Sequence, residues 1–216
     1  FDSVTELKNI TLDFPLIVKP LYEDGSIGIT SDSVVYDKTA LFNKIHHIHR
    51  IYKEPALVEE FIDGREIASA ILGNGETSEA LPLSELVLDF PPNTPRIVSF
   101  EVKWLENSEL FKRTKGVCPA LLDPQLAKEI MSIAKKAAKI TGCIDYTRVD
   151  FRLKGKTPYV LEVNANPCIN PNDAGFIRAA KTAGYSYEQV IMKILNSAFE
   201  RYSINKDSCK IIEVFS

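Results

Sequence analysis

Thr147–Pro167 reads T-R-V-D-F-R-L-K-G-K-T-P-Y-V-L-E-V-N-A-N-P. Two runs rich in apolar residues flank Lys154-Gly155-Lys156-Thr157, and glycine readily takes the positive φ of a turn. The stretch predicts a β-hairpin. Side chains alternate faces along a strand. Arg148, Asp150 and Arg152 then share one face, and Val149, Phe151 and Leu153 the other. In the second run Val160, Glu162 and Asn164 share a face, opposite Tyr159, Leu161 and Val163. A register centred on Lys156 sets Asp150 opposite Glu162, and Arg148 opposite Asn164. Like charges directly opposite one another destabilise a sheet. A divalent cation between the carboxylates would reverse that, and hard Mg²⁺ takes one or two carboxylates together with phosphates. A solvated sheet face is the alternative.

The 216 residues suit one large domain or two small ones. Apolar residues at 45% and charged residues at 25% give an ordinary globular mix. A net charge of −3 with both signs interspersed offers no basic face for nucleic acid. No apolar run reaches transmembrane length, and no signal peptide is visible. The chain begins at Phe1 rather than Met, as a fragment would. Cys118, Cys143, Cys168 and Cys209 form no C-x-x-C pair. They read as free thiols of a reducing, cytoplasmic setting, with disulfide pairing in an oxidising one as the alternative.

Around the hairpin the pattern is mixed α and β. Leu16-Ile17-Val18 predicts a short buried strand, and Leu21 to Thr30 a loop. Asp37 is placed to cap a helix from Lys38 to about Tyr52, with Leu41, Ile45 and Ile48 on one face. Ala56 to Ile62, Ile67 to Leu72 and Ala80 to Leu88 predict strands, and Pro91, Pro92 and Pro95 a surface loop. Arg96 to Trp104 alternates and reads as a further strand. Asp123-Pro124 opens a helix with Leu126, Ile130, Ile133, Ala137 and Ile140 at helical spacing, ended by Gly142. Ser186 and Gln189 form a capping box for a last helix.

Three further stretches suggest chemistry. Val18-Lys19-Pro20 precedes a loop containing Gly25, Ser26 and Gly28. A lysine at a strand end beside such a loop suits phosphate, through its charge and through backbone N–H groups. A tight hairpin with a solvated lysine is the alternative. Leu57 to Glu66 runs an apolar strand into a turn flanked by acids. Backbone beside a strand end can bond an adenine edge, and a nearby carboxylate can accept from ribose hydroxyls. A hinge with surface acids would look the same. Lys103, in Phe100-Glu101-Val102-Lys103-Trp104, could neutralise phosphate or simply be solvated. His46, His47 and His49 read as a solvated helix face, since no cysteine or acid completes a tetrahedral set nearby.

Taken in order, F-P-L-I-V-K-P, the Gly/Ser loop, A-L-V-E-E-F-I-D-G-R-E, F-E-V-K-W, T-R-V-D-F-R-L and Y-V-L-E-V-N-A-N-P resemble the ATP-grasp superfamily. More closely they resemble the ATP-binding portion of the D-alanine–D-alanine ligase group, from about Asp13 to Arg201. The resemblance implies an α/β (α+β) ATP-grasp fold whose two subdomains clamp ATP between antiparallel sheets. Residues 1–60 would form the central subdomain and 61–203 the C-terminal one, with 204–216 as a tail. The group carries an additional N-terminal domain, which is not seen in this chain.

The implied activity is ATP-dependent ligation of a carboxylate to an amine, of amino acids or peptides, through an acyl phosphate. A non-catalytic module that binds ATP and Mg²⁺ is the competing reading. By the same resemblance Lys19 and Lys103 hold ATP phosphates, and Gly25, Ser26 and Gly28 close over them. Glu59, Glu60, Phe61 and Ile62 line the adenine, and Glu66 binds ribose. Asp150, Glu162 and Asn164 hold two Mg²⁺ ions, for which Mn²⁺ can substitute. Arg148, with Lys103, is catalytic and stabilises charge on the transferred phosphoryl group. Asn166 and Cys168 face the substrates. The partners are small molecules rather than nucleic acid or membrane, and the resemblance leaves room for a homodimer. Cys168 departs from the group, which has glycine at that position, and its side chain would reshape the substrate pocket away from D-alanine.

Overall fold

The structure, a computed structural model, describes residues 11–172 and 174–202. Cys209 and the expected tail from residue 204 lie outside the described residues. The chain divides into two compact units, Phe1–Asp63 with Leu88–Lys115, and Gly64–Val87 with Gly116–Ser216. The division expected after residue 60 therefore falls at Asp63/Gly64, and Leu88–Lys115, expected in the second subdomain, groups with the first unit.

In the first unit a three-stranded antiparallel sheet has the order β2-β1-β3, with β1 at Leu16–Pro20, β2 at Val34–Val35 and β3 at Ala56–Glu60. Helix α1, Lys38–Tyr52, packs on it. The Asp37 side chain accepts from Ala40 N at 2.8 Å, satisfying one of the first-turn donors of α1. Leu41, Ile45 and Ile48 are buried against Leu16, Val18 and Ala56. Each such side chain contributes roughly 1.5–3 kcal/mol.

The alternating run Arg96 to Trp104 is not a strand. Phe100–Trp104 is a short helix, α2, followed by α3 at Glu109–Lys112. Ser99 caps α2, its hydroxyl accepting from Val102 N, and Glu101 sits in the first turn. This N-terminal capping outweighs the weak period-2 pattern. Trp104 Nε1 donates to Gly25 O at 2.8 Å, fixing the end of α2.

The second unit is built on a six-stranded antiparallel sheet. Its strands are β4 (Arg65–Leu72), β5 (Glu79–Ala80), β6 (Ser84–Leu88), β7 (Thr114–Val117), β8 (Tyr146–Lys154) and β9 (Thr157–Asn164). The order is β7-β6-β4-β8-β9, with β5 beside β4. The single strand expected from Ala80 to Leu88 is divided around Pro82, which has no N–H for a ladder. Helix α4, Pro124–Ile140, covers one face, burying Ile130, Ala134 and Ala138 against Ile67, Ile71, Val149, Phe151 and Leu153. Ile140, expected on that face, is exposed. Asp123 caps α4 by accepting from Gln125 N and Leu126 N. On the other face Ala70 and Leu72 pack against α5, Gly175–Thr182, and α6, Tyr187–Tyr202. The capping box of α6 is present in both directions. Gln189 Oε1 accepts from Ser186 N at 2.8 Å, and Ser186 Oγ accepts from Gln189 N at 3.2 Å.

Candidate functional site

Strands β8 and β9 form the expected hairpin, with Arg148 opposite Asn164, Val149 opposite Val163 and Asp150 opposite Glu162. The turn is tighter than expected: Lys154 pairs with Thr157, so Gly155 (φ 61) and Lys156 alone close it. A bulge between Asp150 and Phe151 takes up the difference. Val160 consequently pairs with Phe151 and does not share a face with Glu162 and Asn164. Bulges recur beside functional sites because one extra residue re-aims a strand.

The polar face of this hairpin is tightly bonded. Arg148 donates Nε to Asp150 Oδ1 and Nη2 to Oδ2, both at 2.7 Å, a bidentate pair. Asn164 Nδ2 donates to Asp150 Oδ2 and to Glu162 Oε1, both at 3.0 Å, spanning the two carboxylates. On β4, Ala70 lies opposite Arg148 and Ala68 opposite Asp150, so small side chains leave room for long ones. Burial works against the Arg148 cation. The hydrogen bonds and charge of Asp150, with Glu162 and Cys168 nearby, more than offset it and hold the group above its ordinary range.

Two carboxylates and a carboxamide are a hard-oxygen set that suits Mg²⁺ better than a soft metal. Among the described residues no cluster of three or more His, Cys, Asp or Glu could hold a metal ion, so the set depends on Asn164. The Asp150 oxygens keep lone pairs beyond those used by Arg148 and Asn164. Asn164 presents its amide nitrogen to the carboxylates, and would coordinate only with that amide turned over.

Glu66 sits on the same face, opposite Arg152 across β4 and β8. Arg152 Nη2 approaches Glu66 Oε2 to 2.8 Å, with the side chains 6% and 18% exposed. Oε2 is buried without an aligned hydrogen bond, so the contact is ionic rather than directional. Burial pushes the Glu66 carboxyl up to about 7. That value is the balance of burial, the largest cause, with Arg152 and Arg148 pulling the carboxyl down and Asp150 and Glu162 raising it. The buried Arg152–Glu66 pair was not legible in the sequence, where Arg152 carried no role beyond its place on the hairpin.

In the first unit, Lys19 Nζ lies 2.5 Å from Glu59 Oε2. The residue expected at phosphate and one expected at adenine thus meet as an ion pair, and Lys19 is not simply solvated. Glu60 is exposed at the end of β3, while Phe61 and Ile62 are buried. Phe61 N donates to Pro15 O at 3.0 Å. In the loop, Gly25, Ser26 and Gly28 all have positive φ, of 59, 66 and 75. Ser26 Oγ donates to Val98 O at 2.7 Å, joining the loop to the segment before α2. Lys103 lies exposed at the end of α2, 5.6 Å from the Trp104 ring centre, rather than in a strand. Lys44, buried at 5% and bonded to Thr30 Oγ1 and Asp32 Oδ1, is a fixed cation that helical spacing alone did not reveal.

Beyond β9, Asn166 Oδ1 accepts from Tyr146 Oη, and Cys168 is an exposed free thiol, as Cys118 and Cys143 are half-buried ones. His46 and His47 are exposed on α1, His46 stacked with Phe42. Among the described residues no helix is long and apolar enough to cross a membrane.

These two units carry the ATP-grasp fold. A crystal structure of D-alanine–D-alanine ligase from Bacillus anthracis complexed with ATP superposes with a TM-score of 0.68, covering 92% of this chain and 56% of that one at 23% identity. The profile of the family described as "D-ala D-ala ligase C-terminus" matches residues 2–196, and the chain belongs to that family. An uncharacterized protein of Sinorhizobium fredii, y4sG, is 38% identical over 88% of this chain and 54% of its own length. A D-alanine–D-alanine ligase of Cupriavidus taiwanensis is 31% identical over 92% of this chain and 55% of its own length. The chain therefore spans about half the length of the curated relatives it matches.

Proposed function

We propose that this chain is the ATP-binding and catalytic portion of a ligase that joins a carboxylate to an amine, of amino acids or peptides, at the expense of ATP. The observation that carries the reading is the hairpin face on which Arg148, Asp150, Glu162 and Asn164 converge. A sheet gains nothing from two opposed carboxylates unless a cation or a ligand uses them. The D-alanine–D-alanine ligases among the relatives support the reaction class.

Asp150, Glu162 and Asn164 would hold Mg²⁺, which supplies charge neutralisation for the nucleotide phosphates. Lys19 and Lys103 bring further positive charge, Lys19 by exchanging Glu59 for phosphate. The backbone and side chains of Glu59, Glu60, Phe61 and Ile62 border adenine, Glu66 takes ribose, and Gly25, Ser26 and Gly28 cover the phosphates. A substrate carboxylate oxygen attacks the γ-phosphorus, and ADP leaves. The amine then attacks the acyl carbon, inorganic phosphate leaves with the C–O electron pair, and the amine nitrogen loses a proton. Arg148 is placed to stabilise the charge that develops at both stages. No side-chain nucleophile is required. Cys168 and Asn166 border the substrates, and the thiol, standing where the resembling ligases have glycine, disfavours D-alanine. Small-molecule partners, a homodimeric assembly and a cytoplasmic setting belong to the same reading.

The test is a phosphate-release screen of amino acids and short peptides with Mg·ATP, with products weighed by mass spectrometry. Release that requires both a carboxylate and an amine, with a product equal to their sum less one water, is expected. Tight ATP binding with no substrate-dependent release across the screen would favour a non-catalytic module.

A further inference from the structure

Arg152 is an arginine where a sheet would ordinarily bury an apolar residue. It ends the row Arg148, Asp150, Arg152 on β8 and is 5% exposed. Its two arms reach β4 and the turn before it: Nη1 donates to Gly64 O at 3.0 Å, and Nη2 pairs with Glu66 Oε2 at 2.8 Å. Gly64 itself is pressed against β8, since a Cβ there would stand 2.5 Å from Leu153 O. Gly64 and the first residues of β4, Arg65 and Glu66, are thus held by close packing at Gly64 and by one guanidinium that reaches both Gly64 and Glu66. Glu66 faces Arg152, Asp150 and Arg148 from β8 and Glu162 from β9. A buried ion pair gives little net stability over an apolar pair of the same shape, so its retention calls for another reason.

We propose that Arg152 is the positioning residue of the ribose subsite. It clamps the Gly64 bend before β4 with one arm and the Glu66 carboxylate at the start of β4 with the other, so that Glu66 presents its remaining hydrogen-bond capacity to the ribose hydroxyls. This rests on the reading of Glu66 as the ribose-binding residue. Arg152 does not touch the nucleotide in this scheme. It acts by fixing where the Glu66 carboxylate stands, against the repulsion of Asp150 on β8 and Glu162 on β9.

The experiment compares binding of Mg·ATP with Mg·2′,3′-dideoxy-ATP to the full chain, by calorimetry, for the wild type, E66Q, R152M and R152K, with melting curves for each. The wild type should prefer ATP by about ten-fold or more, the range for a charge-assisted hydrogen bond. E66Q should lose most of that preference. R152M should lose it too, with the affinity for the dideoxy nucleotide little changed, and R152K should recover part of it. A folded R152M that keeps the wild-type preference would overturn the proposal. Should R152M fail to fold, R152Q against R152K makes the same comparison, with loss in the first and partial recovery in the second expected, and equal preference overturning it. A wild-type preference of one, by contrast, would remove the ribose reading of Glu66 itself, and the proposal with it.

Discussion

Asp150 stands directly opposite Glu162, although the tight turn at Gly155-Lys156 alone would set Leu161 there. Counting outward from the Lys154–Thr157 pair in a regular ladder brings Leu161 to Asp150. The bulge lets Leu161 be passed over, and the two carboxylates meet with Asn164 bonded to both. The chain thus spends a ladder irregularity on a pairing that is repulsive by itself. That pattern supports the proposed cation site on this face.

Replacing Glu162 by Gln should separate binding from folding. The repulsion with Asp150 is relieved, so stability in the absence of ligand should hold or rise by about 0.2–1 kcal/mol. The affinity for Mg·ATP should fall, and chelation of Mg²⁺ should weaken ATP binding to the wild type more than to E162Q. Calorimetry and melting curves on the two proteins check both halves.

Glu66 should make stability depend on pH. Its carboxyl is raised from 4.5 to about 7 by burial first, with Asp150 and Glu162 adding to it and Arg152 opposing. Between those two values the folded chain holds a proton that the unfolded chain has released. The Glu66 contribution to stability is therefore full below about 4.5 and declines as pH rises through about 7. Melting of the ligand-free protein from pH 5 to pH 8 should show this decline, and E66Q should flatten it.

Asp145 has the opposite sign. It accepts from Asn74 Nδ2 at 2.9 Å and from Arg201 Nη2 at 2.6 Å. Burial raises its carboxyl, but these bonds and the Arg201 charge outweigh burial and hold it below the usual range. Its contribution is present at neutral pH and is lost as the solution is acidified through the lowered value. Its φ of 64 is one that asparagine accepts, so D145N removes the charge without straining the backbone. The substitution should cost about 1–3 kcal/mol by denaturant unfolding at pH 7, with the difference narrowing in acid.

Gly64→Ala places a methyl group 2.5 Å from the Leu153 carbonyl oxygen, a backbone atom that cannot swing aside. A loss of about 1–3 kcal/mol is expected, together with weaker Mg·ATP binding, because Gly64 leads directly into the start of β4 that carries Glu66. Gly155→Ala, at a turn with open space around it but positive φ, should lower stability and leave nucleotide affinity unchanged.

Local signals carried far in this sequence. Asp37 at the start of α1, Asp123-Pro124 at the start of α4 and Ser186 with Gln189 at the start of α6 each set a helix end through neighbours a few residues away. The hairpin carboxylates were legible because a register centred on Lys156 sets Asp150 opposite Glu162, the pairing that the bulge restores above the tighter turn. What failed were readings that depend on competition or on distance. Arg96 to Trp104 alternates, yet the cap at Ser99 wins over five residues. The bulge at Leu161 leaves no mark in composition. Helix α5 went unread because Ala174 offers no side-chain cap. The Arg152–Glu66 and Lys19–Glu59 pairs join residues far apart in the chain, and nothing local announces them. The same holds for Leu88–Lys115 returning to the first unit.

The most direct test of ATP-driven carboxylate activation is oxygen tracing. A substrate found by the phosphate screen is prepared with ¹⁸O in its carboxylate and turned over with Mg·ATP, and the released phosphate is analysed by mass spectrometry. One labelled oxygen per phosphate is expected, since the carboxylate oxygen that attacks the γ-phosphorus leaves with it. Phosphate released at the same rate but free of label would contradict an acyl-phosphate ligase and leave the chain a nucleotide hydrolase or binding module.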